Sequence, residues 1–417
     1  MKRRGFLAAA AVPALAPLLA ACSGDSKNQL EIFSWWTGPG EEEGLAKLIK
    51  MFKEKYKGVD FKNSAVAGGG GDKAKGKLAA RLASHNPPDS FQAHVGAEMF
   101  DYVDNKVLDD LTSFIKDNKF NDVLHPATVK NMTQKGKMYA IPVDVHRANL
   151  LWFNPSVLEK ANVEPPKTWE DLISQNAKFK KAKLITLATG AQWTLLQLLE
   201  TVLLGQLKAD SYRKLFNGGK DWTESDVVAA LNVYADVLKI SDMKHHASDW
   251  QPQLDKVDKG TAAYAVVGDW AYAYLATAKK RKYKEDYDVV VTPGSDGMFD
   301  FLADAFTLPS GAPHPDNCKK WLKVVASKEG QIQFSLVKGS LPARKDVDAS
   351  EFKDYQAWNS KQWTDPKTEV VPSLAHGAAA GPAWSTKITD ALGEFTTGGK
   401  AKDFAAKVQS AYEKSQK

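Results

Sequence analysis

Trp35 and Trp36 stand side by side where the strand-like run Leu30-Glu31-Ile32-Phe33-Ser34 meets the turn Thr37-Gly38-Pro39-Gly40. Flat indole rings at a strand end offer stacking planes. Glu41, directly after the turn, offers a charged hydrogen-bonding group. Far along the chain, Asp304 interrupts the apolar extended run Phe301-Leu302-Ala303-Asp304-Ala305-Phe306. A carboxylate in such a run needs a partner. Planes and polar groups of this kind suit the capture of a small molecule.

The elements that must position these residues follow from periodicity. Leu45, Leu48, Ile49, Phe52 and Tyr56 recur at helical spacing, which predicts a helix from about 41 to 56, with three glutamates in its first turn. Val59-Asp60-Phe61 opens a second strand, so the chain begins with a strand–helix–strand unit, the seed of a parallel sheet. Residues 75–84 read as helix, and Ser90-Phe91-Gln92-Ala93-His94 as a short strand. Thr168 with Asp171 three residues on is a capping-box variant. Two long extended passages, one through 138–153 and one through 301–308, read as crossings between two lobes near 143 and 303. Helix-rich sequence fills about 195–285, and an amphipathic helix closes the chain from about Ala401.

The first 29 residues read as an address. Lys2-Arg3-Arg4 precede an uncharged stretch from Phe6 to Ala21 that contains Pro13 and Pro17, a signal peptide over 1–21 rather than a membrane span. Arg3-Arg4-Gly5-Phe6-Leu7 resembles a twin-arginine signal, although Lys2 leaves the general export route open. Leu19-Ala20-Ala21-Cys22 resembles the lipobox of bacterial lipoproteins, which implies cleavage before Cys22, lipid on that residue, and a tether over 22–29. The rival is an ordinary signal peptide that ends near a cysteine. Cys318 is the only other cysteine, so no intrachain disulfide is expected, and it reads as a small buried hydrophobe. Loss of Lys2, Arg3 and Arg4 takes the formal net charge from +6 to +3, too little for a nucleic-acid partner. Gly71 to Lys77 has the spacing of a nucleotide-binding loop, but Leu78 stands where magnesium needs a hydroxyl, so the match is false. No cofactor and no metal site is expected.

Four stretches, in order along nearly the whole mature chain, carry a family resemblance. They are Ile32 to Glu41; Gly136-Lys137-Met138-Tyr139-Ala140-Ile141-Pro142 on through Asn154-Pro155 to Thr168-Trp169-Glu170-Asp171-Leu172; Lys259-Gly260-Thr261-Ala262-Ala263-Tyr264 with Gly268-Asp269-Trp270; and Gly330-Gln331 to Lys338-Gly339-Ser340-Leu341-Pro342-Ala343-Arg344. Together they resemble the extracellular solute-binding proteins of ABC sugar importers. Within that group the chain is most similar to the glucose/galactose-type binders, through Trp35-Trp36-Thr37 with Glu41, Phe91 to His94, Val145 to Asn149 and Leu374 to Gly377. One departure is Gly38-Pro39-Gly40, where that subset often has Ser-Gly-Gly; proline stiffens the turn and could move Glu41.

The resemblance implies an α/β periplasmic-binding-protein fold of two lobes joined by hinge strands, closing on ligand between them. Lobe one would be 30–143 with 303–345, and lobe two 144–302 with 346–417. It implies a non-enzymatic, monomeric subunit that holds a monosaccharide, glucose- or galactose-like, for a membrane permease. The protein would be exported and lipid-anchored on the outer face of the cytoplasmic membrane, or periplasmic.

A pyranose has an apolar C–H face and a rim of hydroxyls, so it wants flat rings plus charged or amide groups. Trp35, Trp36, Trp250 and Trp270 can supply the rings, and Glu41, Gln92, His94, Asp304, Lys338 and His376 the rim. Each has a rival reading. Adjacent strand residues face opposite ways, so Trp35 or Trp36 can be core; Glu41 also suits the helix dipole; Trp270 and Trp193 can be core rings; His146 can be a hinge residue; Lys338 can be a surface turn. Two other functions compete. Glu41, Asp269 and Asp304 could be the carboxylates of a secreted carbohydrate-active enzyme, and the tryptophan count would also suit a di- or oligosaccharide groove.

Overall fold

The computed structural model describes residues 28–68, 71–243 and 249–415. The signal segment, Cys22 and most of the tether lie outside them. Three larger sheets organise the described chain, beside a two-stranded one of Thr133–Gln134 and Lys137–Met138.

The first sheet has the spatial order Asp60–Ala65, Gln29–Ser34, Ser90–His94, Asp304–Thr307, Ala140–Pro142. Its first three strands are parallel, in register at Gln29 with Asp60 and Ile32 with Ser90. The Asp304 strand runs antiparallel to its neighbours, with Asp304 opposite His94. The second sheet has the order Ser241–Asp242, Ile185–Ala188, Ala262–Val266, Leu150–Phe153, Asp288–Val291. Between them lies a smaller sheet, Leu341–Pro342, Asp144–Arg147, Met298–Leu302, Glu369–Pro372.

The two long extended passages change sheet at single residues. Ala140–Pro142 belongs to the first sheet and Asp144–Arg147 to the small one, with Val143 between. Met298–Leu302 and Asp304–Thr307 divide in the same way at Ala303. The passages run antiparallel, Leu302 opposite His146, and the Val143 amide donates to the Asp304 carbonyl at 2.9 Å.

Each large sheet buries its own core. Around the first, Leu30, Ile32, Phe91 and Phe306 pack with Leu45, Leu48 and Phe52 of the helix Glu41–Lys55. Around the second, helix Gln192–Asn217 supplies the largest single share, from Leu195 to Leu215, and non-helical backbone at Lys208 kinks it. Cys318 is unpaired and fully buried, and burial pushes its thiol up.

Most local expectations match these elements. The predicted capping box is formed: Thr168 Oγ1 accepts from the Asp171 amide and the Asp171 carboxylate accepts from the Thr168 amide, both at 3.0 Å. Two expectations need correction. The first strand begins at Gln29, one residue before the strand-like run from Leu30, so it takes the last residue of the expected tether over 22–29. The stretch expected to be helix-rich holds Ala262–Val266, a central strand buried at every residue. A strand covered on both faces shows no alternation, so its pattern is ambiguous with buried helix. The segment Asp354–Thr364 packs partly on the small sheet, where Trp363 stacks on Phe301 at 5.7 Å. Among the described residues no helix is long and apolar enough to cross a membrane.

Candidate ligand-binding cleft

A cleft of about 120 Å³ opens between the two large sheets, bounded by strand ends and helix starts of both lobes. On the first-lobe side it is lined by Trp35, Trp36, Glu41, Lys75, His94, Asp304 and Lys338, and on the other by Trp193, Trp250, Gln251, Trp270, Ala375 and His376.

The two adjacent tryptophans divide their work. Trp36 is 1 % exposed and packs on Phe334 and Phe306, at 4.7 and 5.7 Å between ring centres, so it borders the cleft mainly as core. Trp35 is only partly buried, with the Lys75 ammonium 5.4 Å from its ring centre and His94 at 5.1 Å. Gly71 (φ +102°) lies flat on that indole, where a Cβ would come within 3.1 Å of the ring.

Glu41 takes part in the cleft despite the proline-stiffened turn. Its Oε2 accepts from the Gly38 amide at 3.3 Å and its Oε1 meets the Lys338 ammonium at 3.0 Å. Lys338 ends the helix Lys328–Lys338, is capped by left-handed Gly339, and is 3 % exposed. Burial would lower the Lys338 pKa, but Glu41, Asp304 and Asp144 outweigh it and raise it.

Asp304 is the best supported carboxylate. Gln92 donates to its Oδ1 at 2.8 Å, His94 Nε2 stands 3.5 Å away, and His146 Nε2 approaches Oδ2 at 3.4 Å. Burial would raise it, but the contact from His146 and the charges of His94, His146 and Lys338 hold it well below the usual carboxylate range. Gln92 corrects the expectation. It does not line the cleft; its amide bridges Asp304 and the Trp35 amide, which donates to Gln92 Oε1 at 3.1 Å. Gln92 therefore positions two lining residues from behind.

His146 carries more than a hinge role. Its Nε2 faces Asp144 at 2.9 Å, and its Nδ1 bonds Asp269. Carboxylates at both ring nitrogens call for two N–H donors, hence an imidazolium. Burial opposes that charge, but Asp144 and Asp269 raise its pKa well above 6.5. Ligand atoms of Asp144, His146 and Asp304 lie within 4.8 Å of one another, close enough for a metal ion. The imidazolium and Lys338 already supply positive charge to those carboxylates, so the cluster reads as a buried ion-pair network.

Across the cleft the wall is built of rings. Trp270 starts a short helix, and Gly268 makes room for it: a Cβ there would meet the indole at 2.2 Å. Asp269 between them accepts from the Arg147 amide at 3.0 Å and anchors the turn. Trp270 packs on His376 at 5.1 Å and on Trp193 at 6.1 Å, while Trp250 meets Tyr274 edge-on at 5.3 Å. His376 is 9 % exposed; burial, then His94 and Lys75, push its pKa well below 6.5, so its ring is neutral.

Of the expected site residues, nine line this cleft and Gln92 stands behind it. Sequence reasoning left out Lys75, which sits in the false nucleotide-loop match. It is held there by Glu98, at 2.7 Å, a partner more than twenty positions away. Trp193 was left open and lies in the lining.

Residues 27–332 match the model of the bacterial extracellular solute-binding protein family. The chain belongs to that family. An uncharacterized ABC transporter extracellular-binding protein of Pyrococcus horikoshii is 33 % identical over 395 residues, 93 % of this chain and 88 % of that protein. The xylose/arabinose-binding protein of Haloferax volcanii is 30 % identical, covering 89 % of this chain and 82 % of that one. Among solved structures, a bacterial solute receptor described as preferring β-D-galactopyranose has a TM-score of 0.81 at 16 % identity, covering 93 % and 98 % of the two chains. That likeness shows the fold: a two-lobed α/β periplasmic-binding-protein architecture. The resemblance read from four sequence stretches is thus the family of the whole chain, an extracellular solute-binding protein of the ABC importer type.

Proposed function

We propose that this solute-binding protein captures one monosaccharide, a glucose- or galactose-like hexopyranose, between its lobes and presents it to an ABC permease. The observation that carries the reading is the pairing of an aromatic wall with a charged rim across one narrow cleft. Trp35, Trp250 and Trp270, with Trp193, offer planes to an apolar sugar face. Glu41, His94, Asp304, Lys338 and His376 offer charged and neutral partners to hydroxyls, and a missing hydroxyl would leave a desolvated polar atom short of a hydrogen bond. Size supports a single sugar. The cleft, at about 120 Å³, is much smaller than the cavity of about 490 Å³ beside it.

A second reading has one observation behind it. A cavity of about 490 Å³ shares Asp72, Lys75, Trp193 and Ala375 with the cleft, space that a longer sugar would use. Calorimetry of the mature protein against D-glucose, D-galactose, D-xylose, maltose and cellobiose separates the two. The proposal expects one monosaccharide at a Kd of about 10⁻⁵ to 10⁻⁸ M; a disaccharide bound more tightly than every monosaccharide would overturn it.

The protein acts as a carrier, not an enzyme. The candidate glycosidase carboxylates are each committed to a cation: Glu41 to Lys338, Asp304 and Asp269 to His146. Aryl glycosides should therefore bind without turnover. The hinge points are Val143 and Ala303, dividing 30–143 with 303–345 from 144–302 with 346–417, and the protein works as a monomer. Its signal is cleaved before Cys22, whose lipid anchors it outside the cytoplasmic membrane; Cys22→Ser should release it from the membrane fraction.

A further inference from the structure

Glu200 is fully buried on the long helix Gln192–Asn217 and is not among the residues that line the cleft. Its carboxylate nevertheless reaches the loop that carries His376. The amides of Leu374 and Ala375 donate to Glu200 Oε2 at 2.5 and 2.8 Å, and Ser373 Oγ lies 3.1 and 3.0 Å from the two carboxylate oxygens. Ser373 Oγ is also 2.9 Å from His376 Nδ1 and accepts from the His376 amide at 3.3 Å.

The protons can be counted. A serine hydroxyl has one hydrogen and two lone pairs. Glu200 is surrounded by donors and acts as an acceptor, so the Ser373 hydrogen points to it. Both Ser373 lone pairs then face His376, one taking the backbone N–H and the other a hydrogen on Nδ1. A neutral imidazole protonated at Nδ1 has its lone pair at Nε2. Among the described residues none hydrogen-bonds to Nε2, while His376 lines the cleft. The neighbouring carboxyl, Asp300, takes no N–H donor among the described residues, so it is the better place for the proton that two adjacent buried carboxyls share.

We infer that Glu200 and Ser373 are positioning residues that fix the His376 tautomer, presenting Nε2 to the cleft as a hydrogen-bond acceptor. Resting on the sugar reading above, this makes His376 a selector for a ligand hydroxyl that donates. Lys338 and Lys75 in the lining only donate, and the carboxylates Glu41 and Asp304 are engaged by Lys338, Gln92 and His146, so the imidazole adds an acceptor on the second-lobe side.

The test begins without sugar. In the mature protein labelled with nitrogen-15 histidine, two-bond proton–nitrogen correlations at about pH 8, where Glu200 is the ionised acceptor (burial lifts its pKa to about 7), should show His376 protonated at Nδ1. Ser373→Thr should keep that tautomer, and Ser373→Ala should move the population toward Nε2–H. Wild-type protein in the Nε2–H form, or a tautomer unchanged in Ser373→Ala, overturns the relay. The second arm uses D-glucose or D-galactose, whichever binds, and its monodeoxyfluoro analogues, in which fluorine accepts but cannot donate. One analogue should bind about ten-fold more weakly than the parent sugar. That penalty should persist in Ser373→Thr and shrink to about three-fold or less in Ser373→Ala. If no sugar binds, the sugar reading fails, while the tautomer still decides the relay.

Discussion

The two walls of the cleft are made of different materials. The first-lobe wall is charged, and each charge is held by another: Glu41 by Lys338, Asp304 by Gln92 and His146, Lys75 by Glu98. The second-lobe wall is mainly rings: Trp193, Trp270 and a neutral His376 pack on one another, and Trp250 packs on Tyr274. The polar wall has its geometry set before a ligand arrives, because Glu41 and Asp304 are already oriented by these partners. The aromatic wall offers area with little directionality. The contrast assigns discrimination to the first lobe and contact area to the second, with His376 as the polar point of the aromatic side.

The largest expected effect probes the foundation of the polar wall. Trp36→Ala should cost about 3–5 kcal/mol of stability in urea or thermal unfolding, because the ring is core against Phe306 and Phe334. Trp35→Ala should instead weaken sugar affinity with a much smaller stability loss. Equal stability losses would erase the division between the two neighbours.

Acid should loosen the same wall. Burial would raise Glu98, but Lys75 and His94 outweigh it and hold the carboxyl at about 2, against an ordinary 4.5. A depressed carboxyl stabilises the fold above its unfolded value, and the benefit is lost as pH falls from 4.5 toward 2. Glu98 should contribute about 3 kcal/mol to that loss, and Lys75→Met should flatten the acid limb of a pH–stability curve. His146 has the opposite sign. Its stabilisation is complete below 6.5 and fades only as pH rises through its elevated folded value. His146→Gln should therefore flatten the alkaline limb and leave the acid one.

Affinity separates the walls more finely. Asp304→Ala should weaken sugar binding about 100-fold, or about 3 kcal/mol, since it leaves Lys338 and His146 short of a buried partner. Glu42→Ala, on the same helix turn as Glu41 but exposed, should change affinity less than about two-fold. Similar losses in the two variants would contradict the role of the strand that begins at Asp304. The smallest effect concerns the aromatic wall. Gly268→Ala places a methyl 2.2 Å from the Trp270 ring and should reduce affinity about ten-fold by displacing it. Unchanged affinity would show that the Trp270 ring need not keep its place.

Much of this was legible in the chain because it is local. The strand–helix–strand start, the Thr168 cap, the extended passages broken at 143 and 303, and the lone carboxylate Asp304 all announce themselves within a few residues. What escaped is carried by partners distant in sequence. Lys75 looks like one more surface lysine until Glu98 folds against it. Gln92 alternates along its strand like a lining residue, yet its amide is taken up by Trp35 and Asp304. Glu200 sits among leucines, and nothing near it in sequence points to Ser373. Ala262–Val266 shows no alternation because both its faces are covered.

The division between the walls turns on where the sugar sits, so the most direct measurement is a crystal structure of the protein with its tightest-binding monosaccharide. It should contain one pyranose between the lobes, its C–H face against an indole and its hydroxyls in hydrogen-bond reach of Asp304, Lys338 and His376 Nε2. A sugar seated instead in the neighbouring larger cavity, clear of Asp304 and Trp270, would contradict it.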